Sequence, residues 1–248
     1  MIRIESVSKS YGTHLAVSSL SLKISPGEVF AFLGANGAGK TTTIKMLVGL
    51  LTPDEGAISI GAHDVVQAPR DASRLVGYVP DQPYVYDKLT GREFLEFMAQ
   101  IYGLEAHDTE ESIARQIETF RLESFVDRLA ETYSHGMKQR LVFASAFVHR
   151  PEIVVLDEPM VGLDPRSMRI VKDLLRREAD NGTTIFMSTH TLPLAEEIAD
   201  RIGVVMSGEL QFEGSVDELR ARHRQDTASL EQLFLDLTTT ESREPATE

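Results

Sequence analysis

Residues 34–41, Gly34-Ala35-Asn36-Gly37-Ala38-Gly39-Lys40-Thr41, fit the spacing G-x-x-x-x-G-K-[ST], and Thr42 follows. Glycines at these positions let the backbone wrap round phosphate oxygens with its N–H groups pointing inward. A helix starting behind them adds the positive end of its dipole. Lys40 can reach the β- and γ-phosphates of a nucleotide, and the Thr41 hydroxyl can bind Mg²⁺. Further on, the apolar run Ile153–Leu156 ends in two carboxylates, Asp157 and Glu158. Asp157 suits Mg²⁺, held through water. Glu158 suits a general base that polarises an attacking water. His190 follows Ser188 and Thr189, where an imidazole could hydrogen-bond both phosphate and water. Ser134 and Gly136 precede a helical stretch. A hydroxyl and free amides at a helix start read either as an ordinary N-cap or as a second anion site. This second feature lies about 95 residues from the first loop. It is therefore placed to serve a nucleotide held by another copy of the chain, in a head-to-tail pair with two-fold symmetry.

These groups need elements to carry them. Ile2, Ile4 and Val7, then Leu20, Leu22 and Ile24, alternate as two half-buried strands. Val29–Leu33 is a continuous apolar run, expected as a strand buried on both faces. The glycine loop follows it, then a helix expected from about Lys40 to Leu51, closed by Pro53-Asp54-Glu55-Gly56 before a strand at Ala57–Ile60. Residues 92–102 and 110–122 have helical apolar periodicity. Residues 83–150 are read as a helical subdomain inserted into an α/β core. Strands at Ile153–Leu156, Thr184–Met187 and Ile202–Met206 then alternate with helices at 166–180 and 192–199, which implies a largely parallel sheet. Ligands in such sheets sit beyond the C-terminal ends of the strands, where the glycine loop and Asp157-Glu158 both fall. Ser215-Val216-Asp217-Glu218 is a capping box opening a small C-terminal extension over 215–237. Residues 238–248 lack apolar side chains and are expected to be a disordered tail.

Composition removes several classes. There are 248 residues and no cysteine, so thiolate metal sites, disulfide scaffolds and cysteine nucleophiles are out. Twenty-five basic residues against 38 acidic ones leave a net charge of −13. That charge opposes nucleic acid as the main partner and opposes adsorption to anionic lipid. No apolar run approaches the ~18 residues of a membrane helix, and the first residues lack the apolar stretch of a signal peptide. The expectation is a soluble intracellular protein.

From about residue 2 to 237 the sequence resembles the nucleotide-binding subunit of an ATP-binding cassette (ABC) transporter. The glycine loop matches its Walker A motif and Ile153–Asp157 its Walker B, followed by the catalytic Glu158. Tyr133–Met137 matches the signature usually written L-S-G-G-Q. Val161-Gly162-Leu163-Asp164 matches the D-loop, and His190 the switch histidine. Tyr11, in Lys9-Ser10-Tyr11-Gly12, matches the aromatic residue that stacks on adenine. The resemblance implies a P-loop NTPase core with a mostly parallel sheet, an antiparallel N-terminal β part and the inserted helical subdomain. It implies ATP and Mg²⁺ at the site, with Thr41 and Asp157 toward the metal. It also implies a second cassette, as a homodimer, whose Ser134, His135, Gly136 and Met137 contact the ATP in trans. Closure on ATP and reopening on hydrolysis would drive a separate membrane-spanning subunit. The chain would then sit on the cytoplasmic face of the cell membrane and bind no nucleic acid. The expected contact runs through the surface near 81–102, with Tyr84, Tyr86 and the helix from Arg92 as candidates.

The sequence departs from the pattern in two places. His135 and Met137 stand where the signature has its first Gly and its Gln, a variation resembling other cassettes with a basic residue and a Met there. In the Q-loop the usual Gln position falls on Asp81, with Gln82 one residue later, and the sequence does not choose between them. Y-S-H-G-M-K-Q-R and L-T-G-R-E resemble bacterial exporters. The alternative is a soluble ABC ATPase acting on DNA or ribosomes. Against it stand the 117 positions from Lys40 to Asp157 without a heptad run, the single cassette and the acidic charge. No N-K-x-D guanine-reading motif is present, which counts against a GTPase.

Overall fold

The computed structural model describes residues 1–223 and 229–240. Strands β1 (Ile2–Tyr11) and β2 (His14–Ile24) form an antiparallel hairpin. With β4 (Glu55–Ile60) and β5 (His63–Asp64) they make a four-stranded sheet in the order β2-β1-β4-β5. The second sheet is the core. It contains β3 (Val29–Leu33), β6 (Val76–Val79), β7 (Ile153–Asp157), β8 (Thr184–Thr189), β9 (Arg201–Met206) and β10 (Glu209–Gly214). Its order is β10-β9-β3-β8-β7-β6, parallel except for the edge pair β9–β10.

Period-two alternation separates the two sides of this sheet. Val29, Ala31 and Leu33 of β3 face one core with Val154, Leu156, Ile185 and Met187. Phe30 and Phe32 face the other with Ile153, Val155 and Phe186. Phe30 and Phe186 stack at 5.9 Å. The second core also takes up the antiparallel sheet and helix α1 (Lys40–Leu47). The first takes up helices α3 (Gly91–Ile101), α4 (Ala106–Phe120) and α5 (His135–Phe147), which pack on one another. It also includes α6 (Pro165–Asp180), α7 (Leu192–Ile198), α8 (Val216–His223) and α9 (Leu230–Thr240).

Several boundaries differ from expectation. Helix α1 stops at Leu47, not Leu51, because Gly49 takes φ +75° and the N–H groups of Leu50 and Leu51 both turn back to the Lys45 carbonyl. Helix α2 (Pro69–Arg74), β6 and β10 were not anticipated. Each is short, and β10 exposes Glu209 and Glu213, so it carries little apolar periodicity. Thr238–Thr240, expected in the tail, lie in α9. Residues 241–248 lie outside the described residues. The capping box at Ser215 is formed both ways, Ser215 N–H to Glu218 Oε2 at 2.7 Å and Glu218 N–H to Ser215 Oγ at 3.1 Å.

Register brings the chemistry together. Leu33 pairs with Thr189 across β3–β8, and Asp157 pairs with Ser188 across β7–β8. The loop after β3, the carboxylates ending β7 and His190 after β8 therefore emerge side by side at one sheet edge.

Candidate active site

The glycine loop fits because two of its glycines have no room for a side chain. A Cβ at Gly34 would stand 2.5 Å from the Val205 carbonyl oxygen. A Cβ at Gly39 would stand 2.5 Å from that of Ala16, and Gly39 has φ +102°. The loop thus lies flat against β2 and β9 and leads directly into α1. Lys40 folds back over it, its Nζ donating to the carbonyls of Gly34 (2.7 Å) and Ala35 (3.2 Å). The same ammonium is 3.5 Å from Glu158 Oε1.

Asp157 is buried, and Ser188 Oγ donates to its Oδ1 at 2.5 Å. Burial pushes its carboxyl above the usual range, and the charges of Asp81 and Glu158 push the same way. Hydrogen bonds from Ser188 and Thr41 oppose the shift. Asp157 Oδ2 and Glu158 Oε1 are buried without a hydrogen-bond partner among the described residues. An unpartnered carboxylate oxygen beside the Thr41 hydroxyl is the hard oxygen donor set that Mg²⁺ takes. The residues therefore fit the metal.

An acid whose pKa is raised on folding lets the folded state bind protons more readily than the unfolded one. Its burial therefore costs stability at neutral pH, and the cost disappears as pH falls below the ordinary carboxylate range. Asp157→Asn should raise the nucleotide-free Tm near pH 8. Calorimetry should show the two chains converging in acid. A variant that melts below the parent at pH 8 would contradict the buried-charge account.

Glu158 is held in a conformation that non-glycine residues rarely adopt, φ +48°. Its N–H donates to the Ser188 carbonyl (3.2 Å) and to Ser188 Oγ (3.1 Å). Its Oε2 lies 2.9 Å from His190 Nδ1 and accepts from the His190 N–H at 3.3 Å. The β7 and β8 ends thus form a carboxylate–imidazole pair, with the other carboxylate oxygen turned toward Lys40.

Lys40 and Glu158 face an open cleft of about 340 Å³, which Asp157 and His190 do not themselves line. Tyr11, Ala35, Asn36, Gly37, Gly39, Lys40, Thr41, Thr42, Asp81 and Glu158 line it. Gly34 and Ala38 are buried beneath the loop. His14 and Ala16 also line the cleft and were missed by sequence reasoning. Their one signal was the hairpin itself, since Tyr11 pairs with His14 across β1–β2. Ser188 was passed over as a neighbour of His190, yet it bonds both Asp157 and Glu158. Of the two Q-loop candidates, Asp81 lines the cleft and Gln82 does not. The Gln82 N–H instead donates to Asp81 Oδ1 at 2.9 Å.

The signature residues stand elsewhere. None of Tyr133–Met137 lines the cleft. Ser134 caps α5, its Oγ accepting from the Met137 N–H at 3.3 Å. The His135 ring packs against Gly162, where a Cβ would come within 2.4 Å of it. Asp164 caps α6, accepting from the N–H groups of Arg166 and Ser167 and from Ser167 Oγ. These hydrogen bonds hold its carboxyl below the usual range.

The chain matches the family described as ABC transporter over residues 17–161. It is 37% identical to the ABC transporter ATP-binding protein YxlF of Bacillus subtilis (strain 168), over 93% of this chain and 76% of that protein. It is 40% identical to the daunorubicin/doxorubicin resistance ATP-binding protein DrrA of Streptomyces peucetius, over 86% of this chain and 64% of that protein. Among solved structures, an ATP-binding subunit of an ABC transporter superposes with a TM-score of 0.92 at 32% identity, over 96% of this chain and 99% of that one. The chain belongs to the ABC transporter family, as one of its ATP-binding, ATP-hydrolysing subunits. These relatives are transporter proteins, which does not favour the DNA- or ribosome-acting alternative. No helix among the described residues is long and apolar enough to cross a membrane.

Proposed function

We propose that two copies of this chain close head to tail on ATP, hydrolyse it between them, and so move a separate membrane-spanning subunit that exports its substrate. One observation carries the reading: the chain holds two anion-type features that do not meet. Tyr11, the glycine loop and Glu158 share one cleft, while Ser134 and Gly136 open α5 outside it. A second copy is the simplest supplier of the missing wall.

In this reading the loop amides and Lys40 hold the phosphates, and Thr41 and Asp157 would hold Mg²⁺, which neutralises charge on the β- and γ-phosphates when bound. Asp81 faces the same phosphates. Glu158 takes the proton of the attacking water. His190, paired to Glu158, keeps that carboxylate oriented and would hydrogen-bond the γ-phosphate and the attacking water. The partner copy's Ser134, His135, Gly136 and Met137 complete the phosphate shell, and Asp164 anchors the loop that crosses between copies. Tyr84, Tyr86 and α3 form the contact to the membrane subunit. The direction of transport follows DrrA, whose name describes drug resistance. The chain then lies at the cytoplasmic face of the membrane.

Tyr11 is half exposed at the cleft rim, as a stacking platform requires. Tyr11→Ala should weaken ATP binding about tenfold, within the ~1–3 kcal/mol of a stacked base. Tyr11→Phe should bind nearly as the parent does. Equal losses in a fluorescent-ATP titration would assign the effect to the hydroxyl. The proposal as a whole is tested by purifying the tagged chain from its native membranes in mild detergent. A stoichiometric multi-span protein is expected, whereas ribosomes or DNA-repair proteins would overturn the transport reading.

A further inference from the structure

A cavity of about 480 Å³ lies at the opposite end of the sheet from the nucleotide cleft. Pro151 and Thr183 line it, just ahead of the first residues of β7 and β8, Ile153 and Thr184. Its walls come from two parts of the chain. Arg115 and Thr119 of α4, with Arg150 after α5, belong to the packed helices α3–α5. Arg177 of α6 and Asn181 belong to the layer on the sheet. The volume lies within the ~300–1,000 Å³ of small-molecule sites.

Three guanidiniums converge here in a chain whose net charge is −13. Their charge is poorly met from within. Arg115 Nη2 and Arg150 Nη2 both donate to one oxygen, Glu111 Oε1, at 2.8 and 3.1 Å. Arg177 Nε stands 3.9 Å from Glu178 Oε1, beyond hydrogen-bond range. Its neighbour Arg176, by contrast, is bonded to both Asp180 and Asp200. Each guanidinium carries five N–H donors, so one shared oxygen leaves most of them for another acceptor. Arg177 sits in the last turn of α6, where a cation also complements the helix dipole. That role does not bring Arg115 to the same place, because Arg115 lies within α4 and not at its end. The hydroxyls of Thr119 and Thr183 and the Asn181 amide add neutral donors. Guanidinium forks supported by such donors are the chemistry that holds a phosphate group.

We propose that this cavity is a second anion site, taking a small phosphorylated molecule of pyrophosphate-like charge on Arg115, Arg150 and Arg177. A phosphate bonded to all three touches both parts of the chain at once, so it restrains α4 and α5 against α6. The inference does not rest on the transport reading, since every group of the site comes from one chain.

The test is equilibrium dialysis of radiolabelled pyrophosphate against the full chain without Mg²⁺. The glycine loop also binds phosphates, so Lys40→Ala is used to remove that site. The parent should hold two pyrophosphates per chain. The Lys40→Ala chain should keep one, with a Kd below about 1 mM. Adding Arg115→Gln and Arg177→Gln to the Lys40→Ala chain should weaken the remaining site at least about tenfold. The control adds Arg70→Gln and Arg74→Gln, which take the same charge from exposed positions on α2. It should stay within about twofold. A chain carrying only Arg115→Gln and Arg177→Gln should bind ATP as the parent does, which guards against misfolding. Equal losses in the cavity variant and the control would overturn the inference, as would no binding by the Lys40→Ala chain. Arginines that only complement helix ends would give a cavity variant that melts lower and binds pyrophosphate unchanged, which also overturns it. Vesicles containing phosphatidic acid separate two sources of the phosphate group. Sedimentation of the parent but not of the cavity variant would assign the site to a lipid head. Pyrophosphate binding without sedimentation would assign it to a soluble phosphate.

Discussion

Glu158→Gln keeps ATP binding and lowers turnover at least about a hundredfold, the lower end of what a lost general base costs. The geometry gives the reason. The Glu158 backbone is fixed by two hydrogen bonds to Ser188, so the substituted side chain starts from the same place. Its Oε2 remains beside His190, which an amide can also engage. The amide has no basic oxygen for the proton of water, while Lys40, Thr41 and the loop amides are untouched. Steady-state phosphate release measures the loss, and a nucleotide titration measures the binding. The variant should also accumulate as an ATP-bound dimer on size exclusion, because the step that reopens it is blocked. Turnover within a few-fold of the parent would remove Glu158 from the role of base and move attention to His190 or Asp81.

Ser134→Arg abolishes turnover while the ATP affinity of the single chain stays within about twofold. An arginine at the start of α5 projects a bulky side chain into the face that, in the proposed head-to-tail pair, meets the partner's nucleotide. Ser134 is outside the cleft of its own chain, so binding in cis has no reason to change. Loss of the cap to the Met137 N–H costs about 1 kcal/mol of helix stability, too little to unfold the chain. Mixing decides between a site in trans and general damage. Lys40→Ala removes the phosphate ligand of one chain and Ser134→Arg the signature of another, so each is inactive alone. A mixed pair contains one cleft with intact Lys40 facing an intact Ser134. Activity should return on mixing if the site is shared between copies. No recovery, in a mixture shown to form mixed dimers, would refute the composite site.

The phosphate loop was legible because its demands are local. Gly34, Gly39, Lys40 and Thr41 lie within one strand-to-helix turn, and glycine placement and lysine reach are properties of a short segment. The buried strands were legible for a similar reason: Val29–Leu33 and Ile153–Leu156 are apolar throughout, as strands covered on both faces must be. The capping box at Ser215 and Glu218 is again a three-residue signal. Elements with weak periodicity, such as β10 and the four-residue β6, left no such mark.

What tertiary structure decided was which side chains from distant segments meet. Sequence left Asp81 and Gln82 open, since one residue of slip rotates a side chain from the cleft to solvent. Only packing turned Asp81 inward and used it to receive the Gln82 N–H. Ser188 became the common partner of Asp157 and Glu158 through the β7–β8 register, a pairing across 31 and 30 positions. His14 and Ala16 reached the cleft because the β1–β2 hairpin folds over the loop, and Gly39 must lack a Cβ because the Ala16 carbonyl is there. Residue type and short spacing therefore set the chemistry available to this chain. Long-range register and close backbone contact, which no local pattern encodes, set which atoms that chemistry is performed with.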